Sequence, residues 1–219
     1  MAVIVAERGG FTDNSGREAA HSSRINGRIS TIISEQLCSD ICMNSSVSRP
    51  LISPSSCFLV MGVSGSGKSH IGRQLANETG ATFIDGDDYH SSLSIAKMSR
   101  GEPLSDNDRK EWLETLAALF REHRQNGEPV IIGCSALKRR YRDILRQGAP
   151  GLRILYLHGE RDILLKRLNS RGDHFFNGEH MLNSQLDTLE IPGDDEAIRC
   201  NIEQMPAEII QQFLARIQQ

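Results

Sequence analysis

No apolar run in this chain approaches the roughly 18 residues of a membrane-spanning helix, so no membrane partner is expected. A secretory leader pattern is missing too, which makes a reducing cytoplasm the expected location. Basic charge is not in excess: 25 Lys and Arg stand against 28 Asp and Glu, with a net charge of −3 and a pI near 6.2. That balance argues against nucleic acid as the main partner and leaves room only for local basic patches. The five cysteines are odd in number and scattered, and Cys38-x-x-x-Cys42 has no second Cys/His pair at zinc spacing. Lysine is absent from residues 1–56, which hold twelve serines and no sustained helical or strand period. Segments this polar bury too little surface to offset their ordering entropy, so a disordered extension is expected there. A mitochondrial presequence would be acidic-poor, whereas five acidic residues balance five arginines in this stretch. Met43 lies ahead of the first expected strand, and the sequence does not decide between the two starts.

What is present is organised around residues 58–69. The apolar run Phe58 to Met61 feeds a Gly62-x-x-x-x-Gly67-Lys68-Ser69 loop, and a helical pattern with Ile71, Leu75 and Ala76 on one face follows. This is the strand–loop–helix setting of a phosphate-binding P-loop. Glycines let backbone N–H groups turn inward with no Cβ in the way, and the positive end of the next helix adds to the cradle. The nucleotide-binding set is therefore Gly62, Val63, Ser64, Gly65, Ser66, Gly67, Lys68 and Ser69. Lys68 would reach the β- and γ-phosphates of ATP, and the Ser69 hydroxyl would hold Mg²⁺. A Gly/Ser-rich surface turn would fit the composition but explains neither Lys68-Ser69 nor the strand before it.

From residue 57 to 219 short strands alternate with helices. Ala81 to Ile84 reads as a strand ending in Asp85-Gly86-Asp87-Asp88; in extended backbone Asp85 and Asp87 would project from the same side. Residues 91–99 read as a short helix. Ser105-x-x-Asp108 resembles a capping box that opens a helix to about Asn126, closed by Gly127. Further strands are expected at Pro129–Gly133, Leu152–Leu157 and Ala197–Ile202, with helices through about Gln147, over Asp162–Ser170, after Glu179 and over Pro206–Ile217. The fold class is thus α/β, a parallel sheet with helices on both faces. Ligands in such sheets sit beyond the carboxyl ends of the strands, where the P-loop, Asp85 to Asp88 and Cys134-Ser135 would converge.

No Asn-Lys-x-Asp element appears, so guanine reading has no candidate carboxylate. The strand Val130 to Gly133 does not end in an acidic residue either, so Asp85 or Asp87 must supply the charge beside the metal. With these constraints the chain from 58 to about 217 resembles the gluconokinase family, P-loop sugar-acid kinases related in fold to shikimate and adenylate kinases. The resemblance rests on Met61-Gly-Val-Ser-Gly-Ser-Gly-Lys-Ser69, Asp85-Gly-Asp87 with His90, and Lys97-Met98 followed by Gly101-Glu-Pro-Leu104. It continues through Asp106-x-Asp108-Arg109 with Trp112, Cys134-Ser-Ala-Leu-Lys138 with Tyr141-Arg142, Arg171-x-x-His174-Phe175 and Gln185-x-x-x-Leu189-Glu190. The family's usual proline after the histidine is Ser91 here.

The resemblance implies transfer of the ATP γ-phosphoryl group to the 6-hydroxyl of D-gluconate, with ATP and Mg²⁺ as cofactors. It implies Lys68, Asp87 and Arg171 as catalytic groups, Asp85 with Ser69 on the metal, and Arg167 against adenine. The acceptor would be held by Asp87, His90, Arg109, Ser135, Lys138 and Arg142. Arg109 suits a carboxylate because a guanidinium grips one with two parallel bonds, and in a first helical turn a cation has no dipole support. For Asp106 and Asp108 a first-turn position is explanation enough. His90 competes with a plain surface-loop histidine, and Lys138 and Arg142, four apart, with a solvated basic face. Residues 171–180 resemble the small lid that closes over ATP. A homodimer is compatible with this reading, as are a kinase for another hydroxy acid such as shikimate and a nucleotide-binding protein without turnover.

Overall fold

The computed structural model describes residues 52–102, 104–170 and 175–218, the side chains of 175–177 excepted. Residues 1–51 of the expected extension and Arg171 to His174 of the expected lid lie outside the described residues. Residues 52–56, counted with the extension on composition, belong to the domain. Ile52 is buried in the core, and the Ser56 carbonyl accepts the Val130 N–H at 3.0 Å.

Five strands, β1 (Cys57–Met61), β2 (Thr82–Asp85), β3 (Val130–Gly133), β4 (Arg153–His158) and β5 (Ile198–Asn201), form one sheet. Its order is β2-β3-β1-β4-β5, and every neighbouring pair is parallel. Helices connect them: α1 (Lys68–Thr79), α2 (Ser92–Ser99), α3 (Asp106–Asn126), α4 (Arg139–Gly148), α5 (Arg161–Asn169), α6 (Phe175–Thr188) and α7 (Pro206–Ile217). α6 therefore begins inside the stretch expected to be a polar lid.

Strand alternation sorts the core into two layers. Phe58 and Val60 of β1 join Ile131, Leu155 and Leu157 on one face, under Ile71 and Leu75 of α1, Leu182 of α6 and Phe213 of α7. The Phe58 and Phe213 rings meet edge to face, 5.6 Å apart. Leu59 and Met61 turn to the other face with Val130, Ile132 and Tyr156, under Trp112, Leu116 and Phe120 of α3 and Tyr141 and Leu145 of α4. α3 is bounded as its sequence indicates. Ser105 and Asp108 exchange backbone–side-chain bonds of 2.8 and 3.2 Å in a capping box, and Gly127 ends the helix at φ 70°.

α3 and α4 press together so closely that Gly148 leaves no room for a side chain: a Cβ there would lie 1.9 Å from the Ala117 carbonyl oxygen. Gly148→Ala should destabilise the domain by about 1–3 kcal/mol through forced separation of the two helices. Gly151→Ala, with nothing within 4 Å of its Cβ position, should be near neutral. Thermal unfolding of the pair checks this; equal melting temperatures would contradict the packing account.

Candidate active site

β1 runs up the middle of the sheet and delivers the chain into the P-loop. A Cβ on Gly62 would lie 2.6 Å from the Leu157 carbonyl oxygen, so only glycine lets the loop leave the strand there. Gly65 and Gly67 take left-handed φ values of 81° and 92°, which turns backbone N–H groups toward the loop's concave side. The Lys68 ammonium donates to the Val63 carbonyl at 3.3 Å and so lies across the loop. The Ser69 hydroxyl donates to Asp85 Oδ2 at 2.6 Å, joining the first turn of α1 to the end of β2. Two hard oxygen donors side by side at a P-loop serine are the donor set a Mg²⁺ ion takes.

Asp85 and Asp87 do not share an extended strand, contrary to the sequence expectation. β2 stops at Asp85, and Gly86–Tyr89 form a 3₁₀ turn. Asp85 caps that turn by accepting the Asp87 N–H at 3.3 Å, and the Trp112 indole N–H donates to the Gly86 carbonyl at 2.7 Å. The turn sends the two carboxylates different ways: Asp85 to Ser69, and Asp87 into a neighbouring cavity.

That cavity, about 180 Å³, lies beside the P-loop and brings together Lys68, Asp87, His90, Arg109 and Ser135. His90 is no surface histidine. Its side chain is 6% exposed and stacks on Trp112 at 4.1 Å, while its buried Nδ1 has no hydrogen-bond partner among the described residues. Burial lowers its pKa, Asp87 opposes that and Arg109 adds to it, so the ring is neutral near pH 7. Its Nε2 lies 3.9 Å from the Asp87 carboxylate. Arg109 keeps one N–H on the Leu104 carbonyl. Cys134, at the end of β3, is fully buried. Desolvation, helped by Asp87, pushes its thiol up to about 12, so it is no nucleophile.

Lys138 and Arg142, expected at the acceptor, do not line this cavity, and Arg167, expected beside adenine, lines another. The Lys138 ammonium pairs with Asp106 at 3.0 Å. Arg142 is 1% exposed and grips Glu196 with two bonds of 2.8 and 3.0 Å; it also donates to the Ala136, Leu137 and Glu190 carbonyls. With its donors used in this way, Arg142 supports the loop that carries Ser135. Arg167 donates to the Ile202 carbonyl at 2.7 Å and lines a second cavity with Ser66, Gly67 and His70 on the far side of the P-loop. Arg171 lies outside the described residues. Sequence reading also missed part of the cavity beside the P-loop: Glu102, and the α6 residues His180, Met181, Ser184 and Gln185. The i, i+4 spacing of His180 with Ser184, and of Met181 with Gln185, was the available signal for a helix face turned toward ligand.

A family model described as an AAA domain matches residues 58–192. The thermoresistant gluconokinase of Escherichia coli is 48% identical over 140 residues, covering 64% of this chain and 79% of that protein. The chain belongs to the gluconokinase family. A gluconokinase structure from Sinorhizobium meliloti superposes with a TM-score of 0.67 at 42% identity, covering 74% of this chain and 93% of that one. An unliganded sugar kinase from a Janibacter species gives a TM-score of 0.70 at 42% identity, covering 74% and 94%.

In this gluconokinase-family chain the Arg142 cluster yields a stability prediction. Burial alone would raise the Glu196 pKa, but hydrogen bonds from Arg142 and Arg146 outweigh it and hold the carboxyl below its ordinary 4.5. Arg142→Met should cost about 3 kcal/mol, the lower end for breaking a buried pair, because Arg146 remains at 2.9 Å. A carboxylate with a depressed folded pKa stabilises fully above its unfolded value and loses that stabilisation as pH falls through the folded one. The gap between wild type and Arg142→Met should therefore be complete above about pH 4.5 and narrow below it. A gap that widens in acid would contradict the pairing.

Proposed function

We propose that this protein transfers the γ-phosphoryl group of ATP to the 6-hydroxyl of D-gluconate, giving 6-phospho-D-gluconate. One observation carries the reading: the carboxylate of Asp87 and the guanidinium of Arg109 share a cavity that opens onto the P-loop lysine, in a chain of the gluconokinase family. The P-loop amides and Lys68 hold the ATP phosphates, and adenine packs near Arg167 on the far side of the loop. Ser69 and Asp85 would hold Mg²⁺. When bound, that ion draws charge from the phosphate oxygens.

On the acceptor side, Arg109 takes the gluconate carboxylate with charge-assisted bonds. The neutral His90, whose Nε2 lies 3.9 Å from the Asp87 carboxylate, forms part of the cavity wall, and Ser135 lines the same cavity as a further hydroxyl partner. Asp87 accepts a hydrogen bond from the 6-hydroxyl, aims its oxygen at the γ-phosphorus, and receives the proton as the new P–O bond forms and the bond to ADP breaks. A loose phosphoryl-transfer transition state asks more of aim and electrostatics than of basicity, so Asp87 chiefly orients. Arg171, by family resemblance, balances charge on the transferring group. A reducing cytoplasm fits the same reading: Cys57, Cys134 and Cys200 are buried free thiols.

Mass spectrometry of a reaction with ATP and D-gluconate should show 6-phosphogluconate, and a panel including shikimate should show gluconate to be strongly preferred. Transfer to another acceptor in its place would refute the assignment. Asp87→Asn keeps size and a hydrogen-bonding oxygen but not the proton acceptor, and should lower kcat by about 10²–10⁴-fold with ATP affinity little changed. Asp85→Asn should instead weaken the apparent affinity for Mg²⁺, with partial rescue by excess metal. A magnesium titration of both variants decides between them; rescue of Asp87→Asn alone would reverse the two roles.

A further inference from the structure

Gln185-x-x-x-Leu189-Glu190 spans the last turn of α6 and the residues after it, and both of its polar members reach a ligand-facing loop. The Glu190 carboxylate accepts the Arg139 N–H at 2.7 Å, and the Glu190 N–H donates to the Leu137 carbonyl at 2.9 Å. These contacts fasten the segment that follows Ser135. Gln185 does something different. Its Oε1 accepts the Ser64 N–H of the P-loop at 2.6 Å, across 121 residues of sequence. One turn earlier on the same face, Met181 Sδ receives the Ser64 hydroxyl at 3.9 Å.

Only the carboxamide oxygen can accept a backbone N–H, so the Ser64 contact decides which end of the amide faces the loop. The group is planar, so its N–H₂ end is turned away from Ser64. Gln185 also lines the acceptor cavity, together with Lys68 and Asp87.

We propose that Gln185 is a substrate-contacting residue of the transfer reaction. Its oxygen stays on the P-loop, and its N–H₂ group donates to the oxygens of the phosphoryl group and acceptor where they meet. The inference rests on the kinase reading above and deepens it. It assigns to α6, the helix that follows the expected lid, a donor pre-aimed by the nucleotide loop. Such a donor needs no reorganisation in the transition state. A strut that merely held Ser64 would need only the oxygen.

Two variants separate these roles. Gln185→Met keeps length and loses both polar ends. Gln185→Glu keeps an acceptor for Ser64 but replaces the donor with a negative oxygen. For both, kcat/KM for gluconate at pH 7.5 should fall by about 10- to 100-fold, the factor carried by one hydrogen bond to a charged group. Melting temperature and ADP affinity should stay close to wild type. As pH falls toward 5.5, protonation gives the glutamic acid an O–H donor, so the Gln185→Glu activity relative to wild type should rise while that of Gln185→Met stays flat. The other titratable groups of the cavity, Lys68, Asp87, His90, Glu102, Arg109 and His180, are common to all three proteins and largely cancel in the ratio.

Half or more of wild-type activity for Gln185→Glu at pH 7.5 would reduce Gln185 to a strut and overturn the proposal. So would a ratio that does not change with pH. If Gln185→Met fails to fold, the Gln185→Glu profile alone decides. If the wild type phosphorylates a different hydroxy acid, the gluconate reading fails, and the same comparison on that acceptor still tests Gln185.

Discussion

The site depends on one register. Across the sheet, Asp85 of β2 pairs with Gly133 of β3 and Gly133 with Val60 of β1. Three strands therefore end at nearly the same level, and their C-terminal extensions are the P-loop, the 3₁₀ turn with Asp87, and the Cys134-Ser135 loop. Parallel pairing makes this possible, because it puts like ends together and lets crossover helices cover both faces. A slip of one residue in β2 would turn Asp85 to the opposite face and separate it from Ser69. The 2.6 Å bond between those residues joins the end of β2 to the first turn of α1, which the register holds at the same edge of the sheet.

Above that level, the fold distributes its cations by burial. Arg109 lines the cavity beside the P-loop, and the Lys68 ammonium lies across the loop on the Val63 carbonyl. Arg142, four residues after Lys138, is instead enclosed and satisfied by Glu196 and three carbonyl groups. A buried guanidinium without such partners would be costly. Arg142 holds the carbonyls of Ala136 and Leu137, in a loop where Ala136 takes a left-handed φ of 44°. Small strains of that kind persist only when neighbours over-determine the conformation.

α6 ties the two halves of the site together. One of its faces packs Leu182 into the core, while His180, Ser184 and Gln185 line the cavity beside the P-loop. Gln185 and Met181 both meet Ser64, so α6 is fastened to the P-loop as well as to the cavity wall. The segment before α6 is the one that resembles a lid.

Local chemistry was enough to determine much of this protein from sequence. Strand and helix periods located all five strands. Ser105, Asp108 and Gly127 bounded α3, and Gly62 through Ser69 declared a phosphate loop, because caps, turns and glycine conformations are decided by neighbours along the chain. Tertiary structure alone decided what depends on distant partners. Composition counted Ile52 with the extension, but the core claimed it. Two aspartates two residues apart diverged because Trp112, 26 residues away, holds the carbonyl of Gly86 in a 3₁₀ turn. Lys138 and Arg142 looked alike on one helix face, yet Asp106 drew one to the surface and Glu196 buried the other. Gln185 acquired its meaning from an amide 121 residues earlier. A side chain's role follows from what meets it in space, and that is a property of the packed sheet and its helices.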